Sequence, residues 1–126
     1  MHHHLMYEPQ RWQTVPIPDE GHASCFAFKT GKYEEQGFLI CYGGKLHAYR
    51  NHCPHAGSTL DWTPGQFFSE DGQALVCQTH GAHFNPVDGD CIGGPCLRGL
   101  DILPIQQQDG EVRVPAAFST PPWPAS

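Results

Sequence analysis

Positive charge is scarce in this sequence. Seven Lys and Arg stand against thirteen Asp and Glu, a formal net charge of −6 at pH 7 with the nine histidines neutral. So acidic a chain lacks the basic surface that nucleic-acid phosphates or an anionic membrane leaflet require. Long apolar runs are missing as well. The best candidate, residues 38–42, has strand length and falls far short of the ~20 residues of a membrane-spanning helix. The N-terminal segment has no apolar stretch of signal-peptide type and no arginine pair, so the expected compartment is the cytoplasm. No nucleophile elbow, phosphate-binding glycine loop or paired catalytic acids occur, and no enzyme of those classes is expected. Helix is disfavoured from the start: 14 glycines and 12 prolines among 126 residues read as turn-rich, below the level that signals disorder.

What is present reads as one all-β domain of short strands punctuated by Gly, Pro, Asn and Asp. Strands are predicted at 12–17, 23–28, 37–42, 46–50, 74–77, 82–85, 99–105 and 111–114, several of them alternating apolar and polar residues. Gly43-Gly44 and Asp109-Gly110 are hairpin-turn signals. Pro104 demotes its segment to an edge or bulged strand. Residues 1–11 form an extension, and His2, His3 and His4, whether native or left from an engineered tag, are set aside from any site. The domain is placed at 12–114. Residues 115–126 hold four prolines and no pattern, and read as a surface-lying or loose tail.

Residues 51–73 break the rhythm of strands, and a long irregular stretch in a small domain tends to be functional. It opens with Cys53-Pro54-His55, and Cys77-Gln78-Thr79-His80-Gly81 follows a later strand. Each box brings one thiol and one imidazole from a strand end. Two such loops facing each other make a four-ligand Cys₂His₂ set. Zinc accepts that set, although its usual spacing groups the cysteines apart from the histidines.

With Ala56-Gly57 after the first box and Ala82-His83-Phe84 after the second, the pattern resembles the Rieske iron–sulfur proteins. Asp88-Gly89-Asp90-Cys91 and Gly93-Gly94-Pro95 resemble that family's third loop, which covers the cluster. The resemblance spans roughly residues 12–114. It implies an antiparallel β sandwich of Rieske type, with a small cluster-binding subdomain of two hairpin loops. It also implies one 2Fe–2S cluster, with Cys53 and Cys77 on one iron and His55 and His80 on the other. Neutral imidazoles in place of two thiolates ease the addition of an electron relative to an all-cysteine site. The implied function is one-electron transport as a Rieske ferredoxin, between a reductase and an oxygenase or other oxidoreductase. A small subunit of a larger oxidoreductase, like those of nitrite reductases, and a zinc-stabilised module remain the alternatives.

High-potential relatives carry a further cysteine in each box and a Ser and a Tyr after the second. Here those places read Ser58, Thr79, Ala82 and Phe84, which implies the low-potential branch. Of the other cysteines, Cys25 and Cys41 are read as buried thiols. Cys91 and Cys96 are read as reduced loop thiols, a bridge between them being the alternative. His52 is expected to be exposed. His83 is expected to point away from Ala82 and Phe84 by the strand period of two. Docking is expected over His55 and His80 beside Gly93-Gly94-Pro95, on a basic partner, with Asp61, Asp88 and Asp90 supplying field or merely making turns.

Overall fold

The computed structural model describes residues 8–54, 58–61, 63–96 and 98–123. Among these there is no helix, and ten strands follow one another: β1 Arg11–Val15, β2 Ala23–Thr30, β3 Tyr33–Tyr42, β4 Lys45–Arg50, β5 Leu75–Val76, β6 His83–Phe84, β7 Cys91–Gly93, β8 Ile102–Leu103, β9 Gln106–Gln108 and β10 Glu111–Phe118. They form a larger sheet in the order β1-β10-β2-β3-β4-β8, with β9 also on β10, and a small sheet β5-β6-β7. The ten strands pair antiparallel except for β10 on β2, which run parallel over Ala117 and Phe118, and an isolated parallel bridge joins Glu20 to Cys41. No helix among the described residues is long and apolar enough to cross a membrane.

Alternation along β3 explains how one sheet serves two cores. Leu39 joins Val15, Phe26, Phe28, Ala48, Leu103, Val112, Val114 and Phe118 on one face. Phe38 and Ile40 face the other way, into a cluster that also contains Tyr49, Phe67, Leu75 and Phe84. A strand buried on both faces reads as a continuous apolar run, as 37–40 does. The second cluster lies under the segment between β4 and β7, and that places the candidate site.

Both hairpin signals are realised. Gly43 and Gly44 take φ of 64° and 76° between the paired Tyr42 and Lys45. Positive φ at both central residues suits the twist of a two-residue hairpin. Both N–H groups of that turn donate to the Glu20 carboxylate, at 2.7 and 2.9 Å, and these bonds hold its pKa below the usual carboxylate value. Asp109 and Gly110, with φ of 53° and 78°, join β9 to β10. Pro104 lies just past the two-residue β8, on the sheet edge.

Other expectations fail. The strand expected to stop at Val114 runs on through Pro115 to Phe118, where Ala117 and Phe118 are buried. Trp123 then packs edge-on against Phe28 and lies 3.9 Å from the Arg50 guanidinium, so the chain after Pro115 is docked on the sheet as far as Trp123. β7 and β9 have no counterpart among the predicted strands. Cys25 is exposed and Cys41 only partly buried. Cys25 shares a strand with Phe26 and Phe28 but sits on its opposite face, where it pairs with Phe38 at the margin of the second core.

Candidate metal centre

The first loop leaves β4 at Arg50, which is fixed before the loop begins. Its guanidinium forks onto Glu35 at 3.0 and 3.1 Å and reaches Asp101 at 3.2 Å. Asp101 also accepts from Arg98 at 3.0 Å. Asn51 and Cys53 then turn inward, 7% and 0% exposed. The N–H of Cys53 donates to the Ser58 carbonyl at 2.7 Å, closing the first box on itself.

The second box starts where β5 ends. Cys77 donates its N–H to Ala82 at 2.9 Å, and Gly81 donates to Cys77 at 2.8 Å. That tight turn carries Thr79 and His80 outward, both exposed, while Cys77 stays at 0%. The two loops meet at Leu60. Its carbonyl accepts the Gln78 N–H at 2.9 Å, and its N–H donates to Asn51 Oδ1 at 2.8 Å. Asn51 Nδ2 donates to Asp61 Oδ1 at 3.0 Å, and Asp61 Oδ2 accepts from Gly65 N–H at 3.0 Å. One asparagine thus ties the base of the first loop to its returning limb, and Leu60 ties that limb to the second box. Asn51 carries no motif signal beyond a polar residue next to a box, and sequence reasoning passes over it.

The third loop lies against the second box. Gly94 has φ +79°, and a Cβ there would come within 2.7 Å of the Gly81 carbonyl oxygen and 2.9 Å of Ala82 Cα. Only a glycine allows that approach.

Of the four expected ligands, Cys53 and Cys77 come together in one buried cluster from opposite loops. His80 stands at the surface beside it. His55 lies outside the described residues. Among the described residues no three His, Cys, Asp or Glu side chains converge as a metal site. The donor chemistry nevertheless fits a 2Fe–2S cluster: two thiols kept from water, and an imidazole whose edge reaches the solvent. Ala82 and Phe84, both at 0% exposure, line the same cluster and offer no hydroxyl.

Around the boxes, the structure corrects two readings. Cys91 and Cys96 are joined in a disulfide, with Cα atoms 6.1 Å apart. The glycines between them let the chain double back within five residues. His52 is half-buried rather than exposed. Burial, and after it the neighbouring Arg50 charge, push its pKa down. His83 is half-buried and its neighbours Ala82 and Phe84 are fully buried, as the strand period predicts. Its Nδ1 donates to the Gly81 carbonyl at 2.7 Å. Asp61 serves the first loop, and the Asp88 carboxylate accepts from Asp90 N–H at 2.9 Å in a turn. Asp88 and Asp90 are both exposed. Tyr49, buried, donates its hydroxyl to Pro86 at 2.7 Å, so it is engaged away from the boxes.

A family model described as Rieske [2Fe-2S] domain matches residues 18–109. No curated protein sequence matches the chain. Among solved structures, the chain is similar to a chain of the complex of reduced oxygenase and oxidized ferredoxin in carbazole 1,9a-dioxygenase, with 21% identity and a TM-score of 0.65. The match covers 89% of this chain and 99% of that one. It is also similar to the ferredoxin of carbazole 1,9a-dioxygenase from Nocardioides aromaticivorans IC177, with 19% identity, a TM-score of 0.62, and 84% and 98% covered. Against the terminal oxygenase of the same system from Novosphingobium sp. KA1, identity is 19% and the TM-score 0.62. That match takes in 92% of this chain but 32% of the oxygenase chain.

Proposed function

Because the chain belongs to the family of Rieske [2Fe-2S] domains, we propose that it is a one-electron carrier whose cluster is held by Cys53, His55, Cys77 and His80. The observation that carries this reading is the pairing of two buried cysteines from separate loops in one core cluster, with the histidine of the second box at the surface. A bound cluster of this type supplies one electron at a time. The chain's own residues do the rest. Phe84, Ala82 and Leu60 exclude water from the thiol side. The turn closed by Gly81 N–H holds His80 where a partner can approach its ring edge. Ala82 and Phe84 have no side-chain hydroxyl to donate to the site, which favours a potential at the low end of the family's range.

The reading extends to partners. The first two chains matched above come from a dioxygenase system, and nearly their whole length is matched here. A reductase on one side and an oxygenase on the other are therefore the proposed partners. The test is composition first. Protein produced with ample iron and sulfide should hold two irons and two acid-labile sulfides, and Cys77→Ser or His80→Cys should abolish or change its visible and paramagnetic spectra. Stoichiometric zinc without labile sulfide would overturn the reading.

A further inference from the structure

We propose that Cys91 and Cys96 are a reversible thiol–disulfide site, opened by a dithiol reductant, whose closed form pins the third loop onto the second Cys-His box. Three observations carry this. The bridge joins a residue held by strand pairing to one outside any strand. Cys91 sits on β7 opposite Phe84, whereas Cys96 lies beyond that strand in the loop, with its N–H on the Gly94 carbonyl and its side chain at the edge of the second core. Between them Gly94 rests backbone-to-backbone on Gly81 and Ala82, immediately after His80. Opening the bridge removes the covalent hold on the far end of the segment that makes this contact and leaves it to one backbone hydrogen bond and partial packing. Both cysteines are only partly buried, and Ile92, Gly94 and Pro95 around them are exposed, so a small reductant can reach the sulfurs.

The fold does not call for a staple here. A ring closed over a sequence separation of five removes little chain entropy compared with a long-range bridge. Two buried clusters already hold the sheets. The thiols formed on opening also have hydrogen-bond acceptors in place. The Cys96 carbonyl oxygen is 3.4 Å from the Cys91 sulfur, and the Gly93 carbonyl oxygen is 3.5 Å from the Cys96 sulfur. Each can accept from a thiol formed there.

The step balances. A thiolate of the reductant attacks one sulfur of the pair, breaking the S–S bond and forming a mixed disulfide. The reductant's second thiolate displaces that sulfur. Two electrons and two protons end on Cys91 and Cys96 as thiols, and the reductant leaves as its own disulfide. In the opened form the loop loses its tether over the second box. The inference rests on the cluster reading for that consequence, not for the chemistry of the pair.

The experiment uses the intact protein. It is incubated with or without dithiothreitol under anaerobic conditions, quenched in acid, unfolded and alkylated, and each cysteine's label is read by peptide mass spectrometry. Without reductant Cys91 and Cys96 should be unlabelled. With it they should become labelled together while the protein stays folded, and oxidised glutathione added after removal of the dithiothreitol should reverse the change. Labelling of both without reductant would overturn the proposal, as would a bridge that opens only on unfolding. In parallel, the visible absorbance is followed in the presence of an iron chelator. The reduced protein and a Cys91→Ser/Cys96→Ser variant should both bleach several-fold faster than the bridged protein, and the variant should not respond to dithiothreitol. Equal rates in all three would overturn the pinning. Protein that never acquires a cluster would instead overturn the function proposed above, and the labelling would still report on the pair.

Discussion

Asn51 shows how a single side chain can do the work of a loop. Its amide oxygen and nitrogen bind in opposite directions, to Leu60 N–H and to the Asp61 carboxylate, at 7% exposure. A buried N–H left without its acceptor costs about 1–3 kcal/mol, more than the net gain of an ordinary hydrogen bond. Asn51→Ala should therefore lower the unfolding free energy by about 2 kcal/mol, read from urea denaturation. Asp61→Ala removes the next link, and the two changes should couple in a double-mutant cycle because they act on one chain of bonds. Strict additivity, with each change below about 0.5 kcal/mol, would show that the network adds nothing to the loop's hold. The two boxes stand out in the sequence because thiol and imidazole at tight spacing are rare. Asn51 does not, because its role depends on Leu60 lying nine residues away and facing it.

At the scale of elements, the irregular segment after β4 is held against the sheet by aromatic packing. Phe67, at 0% exposure, stacks on Phe38 of β3 with ring centroids 3.9 Å apart and planes 9° from parallel. The adjacent Phe68 packs only against the edge of that core, partly buried and stacked more loosely on Tyr42 at 6.1 Å. Truncating a buried phenylalanine removes its transfer free energy and leaves a cavity, about 3–5 kcal/mol in all. Phe67→Ala should cost that much in urea unfolding, and Phe68→Ala markedly less. Equal costs would mean that the segment does not dock through Phe67. The strands that alternate against a core, such as β2, β4 and the first half of β10, were readable from sequence within a few residues. β9 was not, since Gln106, Gln107 and Gln108 are all exposed and give no alternation. β7 has only three residues and takes its place from pairing with β6. The end of β10 was misplaced at Pro115, whose missing N–H reads as a stop. The buried Ala117 and Phe118 carry the strand past it to a parallel pairing with β2. The Cys91–Cys96 bridge was hidden for a similar reason: spacing alone gives no distance between two sulfurs.

For the whole molecule, charge and architecture point to the same end. The C-terminal segment as far as Trp123 folds back onto Phe28 and Arg50, at the root of the first loop, so the sheet is braced where the boxes emerge. The exposed His80, Gly94 and Pro95 lie at that end, with Asp88 and Asp90 exposed in the turn before β7. A net charge of −6 on 14.0 kDa sets up a field that attracts cations and repels anions during encounter. Salt screens such a field over about 8 Å at physiological ionic strength. Two acceptors of opposite charge separate this effect from contact chemistry. The reduced protein should pass electrons to a basic cytochrome c at a rate that falls as sodium chloride is raised, and to ferricyanide at a rate that rises. Asp88→Asn combined with Asp90→Asn should flatten the cytochrome slope if the field is concentrated beside the third loop. The two substitutions leave the boxes untouched, and the Asn at 88 keeps an oxygen for the Asp90 N–H. Slopes of the same sign for both acceptors would rule out electrostatic steering and leave the apolar and backbone contacts of the exposed loops as the means of docking.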